Sequence, residues 1–166
     1  MCDKLTRRQD PGHQILQLFR DRQPKLSAEF EAFAAYWNAK RGAGGVPLLS
    51  DIDIGHLESL RNNAFIGERI APGIARIRIA GEQLDALLGS DPRGLPLTAL
   101  IARPSRYDLA DSLVEVFDRP AILQAGLVSH AAENRPLLSA ELVLLPLLSD
   151  LGDISRVLGC VIFQGS

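Results

Sequence analysis

Hydrophobic and polar positions alternate most cleanly along Ala75-Arg76-Ile77-Arg78-Ile79. A period of two predicts a half-buried strand over 74–80, with Ala75, Ile77 and Ile79 on one face and the arginines on the other. Gly81 ends it. Phe65 and Ile66 belong to a candidate strand just upstream, and Pro72-Gly73 supplies the turn between the two, so the pair is expected to be antiparallel. Three further extended segments are predicted at about 121–130, 138–148 and 156–164. Asn134-Arg135-Pro136 and Asp150-Leu151-Gly152-Asp153 separate them, both short enough for antiparallel hairpins.

Elsewhere the period is helical. Ile15, Leu18 and Phe19 recur between a start signal at Asp10-Pro11 and a stop at Gln23-Pro24, predicting a short amphipathic helix. Phe30, Phe33, Ala34 and Trp37 form the stripe of a second helix, with Ser27 as its N-cap. Glu29 and Glu31 lie in its first turns and Lys40 and Arg41 in its last, as the helix dipole favours. Asp53 is placed to cap a short helix carrying Leu57 and Leu60. Residues 82–101 give short helical pieces broken by Gly89, Pro92, Gly94 and Pro96. Ser105-Arg106-Tyr107-Asp108 reads as a capping box with aspartate in place of glutamate. The helix it opens has Leu109, Leu113, Val116 and Phe117 as its apolar stripe, with Asp108, Asp111, Ser112 and Glu115 toward water.

The order of elements predicts an α+β fold: a five-stranded antiparallel sheet with helices on one face, plus an N-terminal helical extension. Residues 1–45 would be tail and flanking helices, and 46–166 the core domain. Segment 142–148 is apolar at every position, so the second face of the sheet also needs cover. The Phe30, Phe33, Trp37 helix, a second copy of the chain, or both would supply it, and a homodimer is the expectation.

Composition narrows the function classes. The 166 residues are 46% hydrophobic and 23% charged, with a formal net charge of -2. This suits one globular domain with a core and gives no electrostatic ground for nucleic-acid binding. No stretch approaches the roughly 20 apolar residues that span a bilayer, and Lys4, Arg7 and Arg8 precede no apolar signal segment. A cytoplasmic protein with reduced thiols is expected. Cys2 and Cys160 have no metal spacing, and Cys160 sits in an apolar run as a small buried hydrophobe.

The series Trp37, Gly42, Pro47, Asp51, Asp53, Arg76, Arg78 and Gly81 resembles the pattern of a PAS domain, in particular a stand-alone PAS-like subgroup common in alphaproteobacteria. Gly89, Gly94 and Leu97 fit the same pattern, and the likeness covers about residues 28–164. Three positions depart from it: Leu49-Ser50 replace an arginine after the proline, Ile54 replaces a proline, and Glu82 replaces a threonine. The resemblance implies a sensory or regulatory module whose ligand, if any, lies between the sheet and its helices. Phe65, Ile77, Ile79, Leu100, Tyr107 and Val128 are the residues it would place at that pocket. Signals would pass through the N-terminal helices or the dimer interface to a partner protein. A ligand-free interaction adaptor is the alternative, and a small α+β enzyme the third reading.

Specific chemistries fare poorly. A haem-binding domain of this kind needs an axial histidine, and residues 105–118 hold none; His13, His56 and His130 lie in polar surroundings or at a strand end. A photoactive flavin site would need a cysteine on the short helices, whereas Cys160 is on the last strand. No cofactor or metal is therefore predicted. Asp51 and Asp53 lack a third ligand, and capping suits them better. Gly42 to Gly45 follows a helix and lacks the Lys-Ser/Thr of a phosphate loop. Ser105, Ser129 and Ser139 have no nucleophile setting, so no catalytic residue is expected. Arg76 and Arg78 remain anion-binding candidates, against salt bridges to Glu68 or Glu82. Tyr107 and Arg103 remain candidates for a pocket mouth.

Overall fold

Pro72-Gly73 turns the chain back on itself, Gly73 adopting φ 77, a left-handed conformation that a side chain would strain. The computed structural model describes residues 16–19, 27–42, 45–129 and 139–163. Among these, six strands are formed: β1 (Leu16–Phe19), β2 (Ala64–Ala71), β3 (Ile74–Ala80), β4 (Leu123–Ser129), β5 (Ser139–Leu148) and β6 (Ile154–Phe163). They make one sheet in the order β1-β4-β5-β6-β2-β3. Every neighbouring pair is antiparallel.

Both faces of this sheet are covered, which explains the unbroken apolar run of β5. Leu142 and Leu144 enter one core with Phe65, Ile77, Val157 and Val161. The roof of that inner face is α2 (Glu82–Leu88), a 3-10 turn at Leu97–Leu100 and α3 (Arg106–Asp118). Val143, Leu145 and Leu147 enter a second core with Leu158 and Cys160. Over that outer face lie α1 (Ala28–Ala39) and the 3-10 segment Ile54–Asn63. The five core strands and the helices between the second and third of them follow the predicted PAS-like α+β order.

The N-terminal helix α1 takes its expected place. Ser27 accepts from the Phe30 N–H at 3.0 Å, and Phe33 and Trp37 are buried against the chain's own sheet. The Trp37 indole donates to the Pro146 carbonyl at 2.9 Å. A proline inside a strand ordinarily costs a ladder bond. Here β4 stops pairing at Leu144, so the missing Pro146 N–H removes nothing on that side. Its carbonyl is left for Trp37, and two residues on, Leu148 donates to the Pro47 carbonyl.

Three local expectations are corrected. The segment carrying Leu18 and Phe19 is not helical: Leu16–Phe19 is a strand on β4, a sixth member of the sheet. Short helices are marginal in water, whereas four residues beside an open strand edge gain ladder hydrogen bonds. The rest of that expected helix lies outside the described residues. Ser105 precedes α3 but does not cap it with its side chain; a 3-10 turn at Arg103–Ser105 runs straight into the helix and leaves Ser105 in helical geometry. Ser112 is buried, not solvated, and its hydroxyl is satisfied by donating to the Asp108 carbonyl at 2.9 Å. Asp53, by contrast, caps its segment as predicted, accepting from Gly55 N–H at 2.9 Å.

Candidate functional site

A groove forms where three separate pieces of backbone meet. The edge of β3 is tied to the following loop: Gly94 donates to the Ile77 carbonyl at 2.7 Å and Ile77 to the Leu95 carbonyl at 2.9 Å. This fixes Pro96, Leu97 and Thr98 beside the strand. The β2–β3 turn in its turn reaches α3, where a methyl on Gly73 would sit 3.2 Å from the Ala110 carbonyl. Between hairpin, 3-10 turn and the start of α3 lies an open cavity of about 410 Å³, within the usual range of small-molecule sites.

Its base is apolar and buried, from Ala75, Leu97 and Leu113. Ile74 and Tyr107 form an exposed rim, Tyr107 being 84% exposed. Arg106 and Thr98 bring polar groups, and Arg106 Nε donates to the Ile101 carbonyl at 3.2 Å. The lining holds no carboxylate, histidine, lysine or cysteine. Its chemistry is that of an apolar slot with guanidinium and hydroxyl donors.

Of the six residues expected at a pocket, the structure brings only Tyr107 to this groove. Phe65, Ile77 and Leu100 are fully buried in the inner core, where they pack against neighbouring side chains. The Phe65 ring lies directly over Gly159. Ile79 is 52% exposed. Its partner register explains why: Ile66 pairs with Ile79 but Gly67 with Ile77, so Arg78 is an extra residue and the bulge turns Ile79 off the inner face. Val128 is half-buried beside Leu127, and alternation carries it away from the inner core that Leu127 joins. Residues of the groove not singled out for a pocket from the sequence include Ile74, Leu97, Thr98, Arg106, Ala110 and Leu113. Leu113 stood in the predicted helix stripe, but nothing in the sequence says which stripe residue meets a hairpin turn.

The anion candidates separate. Arg78 Nε lies 2.7 Å from Glu68 Oε1, and Arg156 Nη2 lies 3.1 Å from Glu68 Oε2. Glu68 thus holds Arg78, one of the two arginines for which a salt bridge was weighed, together with Arg156. Arg76 stands opposite Glu68 in the strand register and also lines the groove. A smaller hollow of about 230 Å³ beside Arg78 includes Asp91 and Arg93. The Arg93 side chain bonded to Asp91 lowers the Asp91 pKa to about 2, so that pair neutralises itself.

The remaining chemistry-bearing groups lie apart from the groove. Cys160 is buried in the outer core on β6, where burial raises its thiol pKa to about 12. His56 is exposed, 3.6 Å from Asp53. Cys2, His13 and His130 lie outside the described residues. Among the described residues no group of three metal-ligating side chains occurs, and no helix is long and apolar enough to cross a membrane.

No curated protein matches the chain. A family model described as a PAS domain matches residues 26–162, from the cap of α1 to the end of β6. The match covers well over half of the sequence, and it agrees with the α+β order of strands and helices. The chain belongs to the PAS domain family.

Proposed function

We propose that this PAS domain is a sensory or regulatory module that takes a small amphipathic ligand in the groove between β3, Leu97–Leu100 and α3, and passes the change to α1. The groove itself carries the proposal: about 410 Å³, apolar at the base, with Arg106 and Thr98 at its wall. A ligand there touches the β2–β3 hairpin and α3 together. Ligand contacts alter an equilibrium only when they differ between two arrangements; in this reading the element that shifts is the close packing of hairpin on helix at Gly73 and Ala110. Through β2, β6 and β5 that hairpin is continuous with the strand that holds Trp37. The reading is non-catalytic and asks of the groove only that it hold a ligand.

Native mass spectrometry of the purified chain, followed by thermal shift against a panel of small amphipathic carboxylates, tests it. A ligand that binds only the folded state raises the melting temperature. The wild type should gain several degrees with at least one compound, and Ala110→Trp, which fills the groove, should gain none. No adduct and no shift in the wild type would remove the ligand from the reading.

The filled interior favours one alternative, a ligand-free adaptor. Phe65, Ile77 and Leu100 leave no exposed surface inside, and exposed Ile74 and Tyr107 would then receive a side chain of a protein partner.

A further inference from the structure

The two edges of the sheet are guarded differently. Along β3 the fold provides its own cover, through the bonds of Gly94 and Leu95 to Ile77 and a bridge between Arg76 and Pro96. The bulge at Arg78 and two exposed arginines break up the rest, all established ways of keeping a strand edge from pairing with another chain. Among the described residues, β4 carries no bulge of its own on that edge. Leu123-Gln124-Ala125-Gly126-Leu127-Val128-Ser129 carries neither charge nor proline. Among the described residues its outer side is paired only with β1, along Gly126–Ser129. β1 is four residues long, and it precedes residue 26, where the family match begins.

We propose that β1 is exchanged between two copies of this chain, residues 16–19 of each copy pairing with Gly126–Ser129 of the other in the register seen within one chain. A second copy is the occupant that the strand register supports, because the sequence that fits this edge is the chain's own. Each copy that releases β1 offers a free strand and a free edge at once, so reciprocal exchange conserves every ladder hydrogen bond and closes as a two-fold dimer. Seven residues, 20–26, join β1 to Ser27, whose hydroxyl donates to Glu141 on β5, and a linker of that length extends to at most about 25 Å. The exchange stands whether or not the groove takes a ligand.

Gln17 and Val128 are directly opposed, at a separation a disulfide spans. Full-length Gln17→Cys and Val128→Cys chains, each also carrying Cys2→Ser, are mixed in equal amounts and oxidised mildly. Exchange predicts a cross-link between positions 17 and 128 of different chains, identified by peptide mass. In the unaltered protein, sedimentation should show a dimer whose fraction falls several-fold with an excess of a synthetic peptide spanning residues 14–21. The idea is overturned if the mixture gives no 17–128 cross-link while a double variant closes within its own chain. It is equally overturned by a dimer that the peptide leaves unchanged, or by a monomer that takes up the peptide without ever pairing with its own copy.

Discussion

Phe65 on β2 faces Gly159 directly across the β2–β6 pair, and its ring occupies the space where a Gly159 side chain would begin. The pairing explains how a large aromatic is fully buried between the sheet and its helices, and why the interior is full at the place where a pocket was expected. Gly159→Ala should overpack the site and destabilise by about 1–3 kcal/mol. The two positions should also be strongly non-additive. In a Phe65→Leu background the added loss from Gly159→Ala should shrink, as a double-mutant cycle in urea would measure. Additive losses would mean the ring has room to move.

Trp37 joins α1 to β5 through one hydrogen bond to a proline carbonyl, with the Arg41 guanidinium 5.3 Å over its ring. Trp37→Phe keeps most of the apolar surface but leaves the Pro146 carbonyl without this donor. The expected loss is about 1–3 kcal/mol, read from the chemical denaturation midpoint. Faster amide exchange confined to α1 should accompany it. A loss spread evenly over the sheet would show that this bond does not dock the helix.

These relationships mark the limits of what was legible beforehand. The strand over 74–80 and the stripes of α1 and α3 could be read because their periods run for several residues, and burial follows the period in the helices and, in the strand, as far as Ile77. Leu16–Phe19 could not: Leu18 and Phe19 fit a helical spacing with Ile15, and the strand exists because β4 offers an edge, a fact distant in the chain. Ile79 was placed inside because alternation was carried through Arg78, where a bulge shifts the register by one. The groove was illegible for a similar reason. Its walls come from residues 73–76, 96–98 and 106–113, and only the tertiary meeting of Gly73 with Ala110 makes them one surface.

That meeting point gives a prediction linking stability to binding. Gly73 has φ 77 and its Cα faces the Ala110 backbone. Gly73→Ala should cost about 1–2 kcal/mol from the left-handed conformation alone, with a further loss if the hairpin must retreat from α3. It should also lower the thermal shift given by any groove ligand by more than its effect on stability explains. A Gly73→Ala protein that binds with unchanged affinity would detach the hairpin from the site.

Cys160 supplies the pH-dependent prediction. Its thiol is fully buried among Ala64, Ile66, Val143 and Leu158, and burial raises its pKa to about 12 from the model-peptide value of 9.0. In the unfolded chain the thiol loses its proton near the lower value, while the folded chain keeps it. Above pH 9 the unfolded state therefore binds fewer protons, so unfolding is favoured as pH rises. The stabilisation is whole below pH 9 and is lost progressively toward pH 12. Two outcomes follow for the Cys2→Ser protein. At pH 8 a thiol reagent should label Cys160 only at the rate of unfolding, with rapid labelling in denaturant. Between pH 9 and 11 the melting temperature should fall, and Cys160→Val, which has no proton to lose, should fall less steeply over the same interval. Rapid labelling of the native protein at pH 8 would contradict the burial of Cys160 and with it the packing of α1 over this face.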